Sequence, residues 1–359
     1  PLHCGDKSLV IRLFQPGDLY LIQRLNRQRT HFLTVATLLN SHSVMRAVLG
    51  SLIPWDDAKV TTYVLRQEGH SLVSGGFLQV QKRPGAAEQD LLCIAPGLEA
   101  RHGHPATWTK LLAYSLHAAM EQGIARIYCN VNDQPLPVNT LLGAGFQTYG
   151  RETVWRLFSP TAEDYAAEIT AEIRPLRPED AWGLAQLYLQ VTPAPVQQAE
   201  GWSGETEAAL PWLTTWCASH GDTYVLVEEG RIAGALQIVG GRLGCWMQFW
   251  TDTLRPDGFY VRQLLYCGLT IARERRLNMP AYVAVADHHG GVAAQLTDLG
   301  FVPFSDRVKM VKHVVQWVRE SVTAPAPALE AIAETVPTPF APPEGAHAQV
   351  GATRQPVAP

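Results

Sequence analysis

Charge is scarce in this chain: Asp, Glu, Lys and Arg make up 17% of its 359 residues, 29 basic against 33 acidic. A net charge of -4 and a pI near 6.3 leave no polybasic stripe and little counterion-release attraction for a phosphate polymer. Nucleic acid and anionic lipid are excluded as main partners. No uninterrupted apolar run reaches the length of a membrane helix, and residues 1–14 lack a basic-then-apolar order. A cytoplasmic protein is expected. The six cysteines, Cys4, Cys93, Cys129, Cys217, Cys245 and Cys267, contain no C-x-x-C pair, which points to reduced, mostly buried thiols rather than a zinc or disulfide framework. The pairs His102/His104 and His288/His289 lack the further ligand spacing of a closed metal site, so no metal is expected.

What is present is apolar residue, 47% of the chain, and enough length for two domains. The sequence is written twice. Ile11-Arg12-Leu13-Phe14-Gln15-Pro16-Gly17-Asp18 returns as Ile173-Arg174-Pro175-Leu176-Arg177-Pro178-Glu179-Asp180. Each copy reads as a short strand and a proline turn, with Asp18 or Asp180 placed to cap the next helix. In the second copy Leu184, Leu187, Tyr188 and Val191 form one helical stripe. Each half then runs through a variable segment into alternating runs, Val60–Arg66 and Ser71–Gln81, and Thr223–Glu228 and Arg231–Val239, joined by glycine-containing turns. Third runs follow at Asp90–Ala95 and Cys245–Asp252. Long amphipathic helices come next, with Trp108, Leu111, Leu112, Leu116 and Ala119 on one face and Val261, Leu264, Leu265, Gly268 and Ala272 on the other's. Strands Arg126–Val131 and Ala281–Ala286 lead to short helices that end in Gly145-Phe146 and Gly300-Phe301, glycine standing where a left-handed cap is needed.

The expected order in each half is β-α-β-β-β-α-β-α-β, an α+β module with a mixed, mainly antiparallel sheet flanked by helices. The halves span 1–158 and 172–320, and 159–171 connects them. Residues 321–359 are rich in proline and alanine and carry too little apolar surface to offset ordering entropy, so a disordered tail is expected.

This order, the opening I-R-x-x-x-P-x-D and the strand-helix-Gly-Phe ending resemble the GNAT superfamily of acyl-CoA-dependent N-acyltransferases, in tandem, over about residues 8–158 and 172–318. The resemblance implies that the third meander strand and the strand after the long helix splay apart, that the cofactor's pantetheine arm enters the gap, and that its diphosphate sits on the long helix's N-terminus. Backbone amides and the helix dipole suit that role when nearby side chains are small. The family's Arg/Gln-x-x-Gly-x-Gly/Ala loop is matched in part by Arg101-His102-Gly103-His104-Pro105-Ala106, with His104 in place of the central glycine. Ile94, Arg101, Gly103, His104 and Ala106 are thereby expected to hold acetyl-CoA. The second half, Leu254-Arg255-Pro256-Asp257-Gly258-Phe259, shows no recognisable glycine loop, and Asp257 stands where it would cap the helix and repel phosphate. It is expected to be cofactor-free.

Acyl transfer to an amine needs a base for the amine and a proton for the departing thiolate. Among meander carboxylates, Glu88 and Asp90 are the candidate bases; the bland alternative is a pair of solvated strand-edge charges. The family's acidic tyrosine corresponds to Leu141 and Leu296, neither of which donates a proton, though a thiol of pKa about 8.5 can leave without it. Tyr128 and Tyr149 read as buried tyrosines, Cys93 as a buried thiol. Trp202, Trp212, Trp216, Trp246 and Trp250 read as core, with a pocket as the alternative. The expected activity is transfer of an acetyl group to a primary amine on a small molecule or peptide. The alternative is a GNAT-like ligand-binding or regulatory protein without turnover. An amino acid, an aminoglycoside and a protein N-terminus stay open as acceptors, as does the oligomeric state.

Overall fold

The computed structural model describes residues 9–40, 43–50, 60–67, 75–83, 86–160, 165–201, 221–252 and 258–314. Asp257, Trp202, Trp212, Trp216 and the proline-rich tail lie outside the described residues. In the first half the chain forms β1 (Leu9–Leu13), α1 (Leu19–Leu25), β2 (Thr30–His31), α2 (Val35–Leu39), α3 (Val44–Gly50), β3 (Val60–Gln67), β4 (Gly75–Lys82), β5 (Glu88–Ala95), α4 (Pro105–Glu121), β6 (Arg126–Asn132), α5 (Pro135–Gly143) and β7 (Gln147–Leu157). In the second it forms β8 (Glu172–Pro175), α6 (Ala181–Val191), α7 (Ala194–Ala199), β9 (Gly221–Glu228), β10 (Arg231–Gly240), β11 (Cys245–Thr251), α8 (Phe259–Glu274), β12 (Ala281–Ala286), α9 (Val292–Asp298) and β13 (Val302–His313). The α+β module read from the sequence is present twice.

Local chemistry repeats with it. Gly145 and Gly300 adopt φ of +84° and +82°, and the amides of Phe146 and Phe301 return to the Leu141 and Leu296 carbonyls at 3.1 and 2.9 Å. Glycine alone takes that conformation without strain. The opening turns differ from expectation in one respect. Asp18 and Asp180 do not cap α1 and α6; each caps the short turn before its helix, accepting from the Gln15 or Arg177 amide. Each is also gripped by a guanidinium from the preceding strand, Arg12 at 2.7 and 3.0 Å and Arg174 at 2.6 and 2.8 Å. Asp18 is fully buried and also meets Arg66 at 3.2 Å. We expect Asp18→Ala to destabilise the protein by about 3 kcal/mol, because it strands two cations and an amide together. A denaturant midpoint unchanged from wild type would contradict this.

The halves do not keep their sheets apart. All strands join one sheet in the order β1-β3-β4-β5-β6-β13-β7-β12-β11-β10-β9-β8, with β2 added to β5. The last strands are exchanged: β13 pairs with β6 of the first half, with Val308 opposite Val131 and Met310 opposite Cys129. Conversely β7 pairs with β12, with Trp155 opposite Val283. The cores follow the exchange. Val308 and Met310 are buried in the first half's core with Trp108, Leu111 and Ile127. Trp155 and Leu157 are buried in the second half's core with Leu264, Leu265 and Phe301. The connector is packed as well: Tyr165 stacks on Tyr266, and Gln263 of α8 accepts from the Thr170 and Ala171 amides.

Candidate active site

In both halves the third meander strand runs parallel to the strand after the long helix for only three residue pairs. In the first, β5 and β6 pair over Glu88–Asp90 and Arg126–Tyr128; in the second, β11 and β12 pair over Cys245–Met247 and Ala281–Val283. Beyond these points the strands diverge. The two gaps then differ.

The first gap is filled by the chain itself. Thr30 and His31 of β2 pair with Ile94 and Cys93, the Phe32 amide donates to the Leu92 carbonyl at 3.0 Å, and the Leu33 amide donates to Asn130 of β6 at 2.9 Å. Phe32 is fully buried, edge-on to Trp108. Withdrawing this segment would expose Phe32, about 1.5–3 kcal/mol, and lose several hydrogen bonds at about 1 kcal/mol each.

The loop above is equally committed to itself. His104 is the N-cap of α4, its Nδ1 accepting from the Ala106 amide at 3.1 Å. A Cβ on Gly103 would lie 2.7 Å from the Leu98 carbonyl, so this glycine serves close packing of its own loop. Arg101, His104 and Ala106 are exposed. Ile94, expected beside a pantetheine arm, hydrogen-bonds with Thr30 instead.

Among the described residues no strand enters the second gap; Leu33, Val35 and Leu38 pack beside it with Trp246 and Ala284, and residues 202–220, which follow α7, lie outside the described residues. Here α8 begins at Gly258, a left-handed residue (φ +71°) with no side-chain cap; a Cβ there would lie 2.9 Å from Gln295 Nε2. The N-cap residue is the glycine, and the cap expected from Asp257 lies outside the described residues.

This gap opens into a cavity of about 230 Å³ walled by both halves. From β11 come Trp246, Phe249 and Trp250; from β12 and the turn beyond it, Ala284, Ala286, His288 and His289. The exchanged strands contribute Tyr149 and Glu152 on β7 and Lys309 on β13, while Tyr188 and Glu200 come from α6 and the end of α7. Trp246 and Trp250 are buried and also form wall, so both readings of them hold. Lys309 Nζ donates to Glu200 at 3.0 Å and lies 5.0 Å from the Tyr149 ring centre; Tyr188 donates to Glu200's other oxygen at 2.8 Å. Burial lowers the Lys309 pKa, but Tyr149 and Glu200 more than offset it and hold it above the ordinary lysine value. Burial pushes the Tyr149 and Tyr188 hydroxyls up, so both stay protonated.

The carboxylates expected to act as bases are otherwise engaged. Asp90 is held bidentate by Arg83 at 2.7 and 2.9 Å. Glu88 accepts from Arg83, Arg126 and Tyr128 at 3.1–3.2 Å. Both are therefore engaged by cations of their own half. Cys93 and Cys245 are pushed up to about 12 by burial, which keeps both as thiols.

His289 was legible only as half of a histidine pair. Burial, then the adjacent His288 ring, pulls its pKa down to about 4, so it is neutral near pH 7. Its folded pKa lies below the unfolded value of about 6.5. Between these values the unfolded chain binds a proton that the folded chain refuses, so stability falls as pH drops from 6.5 towards 4, by on the order of 3 kcal/mol. Denaturant titrations at both ends of that window should show this loss, and His289→Asn should flatten it.

Two consecutive modules, alike in element order apart from β2 and α3 in the first, each carry a splayed parallel pair. No family model and no curated protein matches the sequence. Among solved structures, it is similar to a tandem GNAT protein from the clavulanic acid biosynthesis pathway, at 16% identity over 86% of this chain and all of that one, with a TM-score of 0.49. A GCN5-related N-acetyltransferase from Sphaerobacter thermophilus aligns at 12% identity over 86% and 97% of the two chains, TM-score 0.49. One from Kribbella flavida aligns at 12% over 66% and 86%, TM-score 0.41. At these values the likeness is in general arrangement only. No described helix is long and apolar enough to cross a membrane.

Proposed function

We propose that this chain is an N-acyltransferase whose second half, not its first, receives an acyl-CoA, with acetyl-CoA the simplest donor, and passes the acyl group to a primary amine in the cavity between the halves. One observation carries this reading: among the described residues no strand enters the β11–β12 gap, which borders the cavity below a helix starting at Gly258, whereas its counterpart is filled by β2. The extended arm of a CoA thioester fits an unpaired strand edge, and its diphosphate fits the first turn of α8. Ala284 and Ala286 are small enough to leave the mouth of the gap clear. The free buried thiols suit a reducing cytoplasm.

A second reading rests on Leu141 and Leu296, both fully buried, which leave neither half with a proton donor at the family's tyrosine position. It is a GNAT-like protein that binds ligand without turnover. Thiol release from acetyl-CoA in the presence of a panel of primary amines separates the two. Turnover supports the first; a thermal shift with acetyl-CoA and no turnover supports the second.

A further inference from the structure

Among the described residues the charged groups of the cavity wall are paired off except at Lys82 and Glu152. Arg83 spends its donors on Asp90 and Glu88, and Lys309 is joined to Glu200, whose second oxygen accepts from Tyr188. Lys82 is exposed at the rim. Glu152 differs. One of its oxygens accepts from Asn130 Nδ2 at 3.0 Å; the other has no partner among the described residues, although Glu152 is part of the wall. Arg307 stands directly across on β13 but makes no ion pair with it among the described residues. Lys309, which feels Glu152 electrostatically, is engaged by Glu200. A ligand ammonium at that oxygen would add a charge-assisted hydrogen bond.

Its position matters as much as its valence. Glu152 pairs with Ala286 of β12, and direct cross-strand partners project from the same face of a sheet. Ala286 lies past the last β11–β12 pair, so Glu152 stands at the mouth of that gap. It is supplied by the first half through the exchanged strand β7.

We propose that the cavity binds the ammonium group of a primary amine with an otherwise uncharged body, and that Glu152 is both its counterion and its proton acceptor in acyl transfer. The second role rests on the reading of the second half as the acyl-CoA site; the first does not. An uncharged body follows from the wall. Trp246, Phe249 and Trp250 offer apolar surface, and no unpaired cation of the enclosed wall is free to receive a ligand carboxylate among the described residues. In the reaction one proton passes from the ammonium nitrogen to Glu152 and on to water. The freed lone pair forms the C–N bond to the thioester carbon, the C–S bond breaks, and a second nitrogen proton leaves with the sulfur as thiol.

The test uses the full chain, phenethylamine and its carboxylated counterpart phenylalanine. Phenethylamine at millimolar concentration is expected to raise the thermal midpoint of wild type and phenylalanine to leave it unchanged. Glu152→Gln, which keeps the shape and the Asn130 contact, should abolish the amine shift while retaining the acetyl-CoA shift. It should also lower kcat/KM for thiol release with phenethylamine roughly a hundredfold; Glu152→Asp, keeping the charge, should restore part of both. An amine shift that is absent in wild type, equal for phenylalanine, or unchanged in Glu152→Gln overturns the proposal. Loss of the acetyl-CoA shift alone, with the amine shift intact in wild type, overturns the acyltransferase reading and leaves the ammonium site standing.

Discussion

Acetyl-CoA should raise the thermal midpoint of the wild-type protein, Ala286→Phe should remove that rise, and Ala106→Glu should leave it intact. A ligand present at a hundred times its dissociation constant stabilises the folded state by about 2.7 kcal/mol, an effect well above the error of a melting experiment. Ala286→Phe places a ring at the mouth of the β11–β12 gap, where the acyl end of the donor would lie. Ala106→Glu tests the other half. It adds a carboxylate to the first turn of α4, the place where the sequence motif alone would seat the diphosphate. That site would be reached only after Thr30–Leu33 left the β5–β6 gap, at a cost of about 4–6 kcal/mol from the burial of Phe32 and the strand-edge hydrogen bonds. Since 1.4 kcal/mol is a factor of ten, the first gap would be weaker by roughly three to four decades for equal contacts. A shift lost in Ala106→Glu and kept in Ala286→Phe would reverse the assignment of the halves.

Periodic patterns are legible in the amino-acid sequence, and aperiodic ones are not. The helices α4 and α8 announced themselves by their apolar faces, and the left-handed glycines by the Gly-Phe pairs, because each is fixed by local sterics. The plug did not. β2 is two residues long, and it acts through backbone amides that any residue type possesses, so Thr30-His31-Phe32 reads as variable loop. The loop motif leaves its packing equally unreadable: Arg101 and Ala106 match the expected pattern, but the spacing does not say that His104 caps the helix start or that Gly103 packs against Leu98. Glu152 was hidden because its neighbourhood is assembled by the exchange. On β7 it is one polar residue among Arg151 and Thr153; only the register against Ala286 places it at a gap belonging to the other half.

The exchange itself leads to the second large effect: residues 1–158 and 159–359, made separately, should each fail to fold, and their co-expression should restore a complex that melts in one transition. The obvious escape is for β7 to swing into the slot that β13 occupies, since each is the last strand of its copy. The side chains oppose this. Counting on from Phe146 and Phe301, Thr153, Trp155 and Arg156 fall at the offsets of Val308, Met310 and Val311. The slot holds Val308, Met310 and Val311 almost fully buried; substituting a hydroxyl, an indole and a guanidinium would overpack it and bury a charge. Leaving the slot empty instead forfeits about 1.5–3 kcal/mol for each of the three apolar side chains, against a typical total stability of 5–15 kcal/mol. The second half alone loses Trp155 and Leu157 from its core in the same way. A sharp, cooperative melt from either fragment by itself would show that the last strands can return to their own sheets, and the cavity's dependence on both halves would then rest on packing rather than on strand pairing.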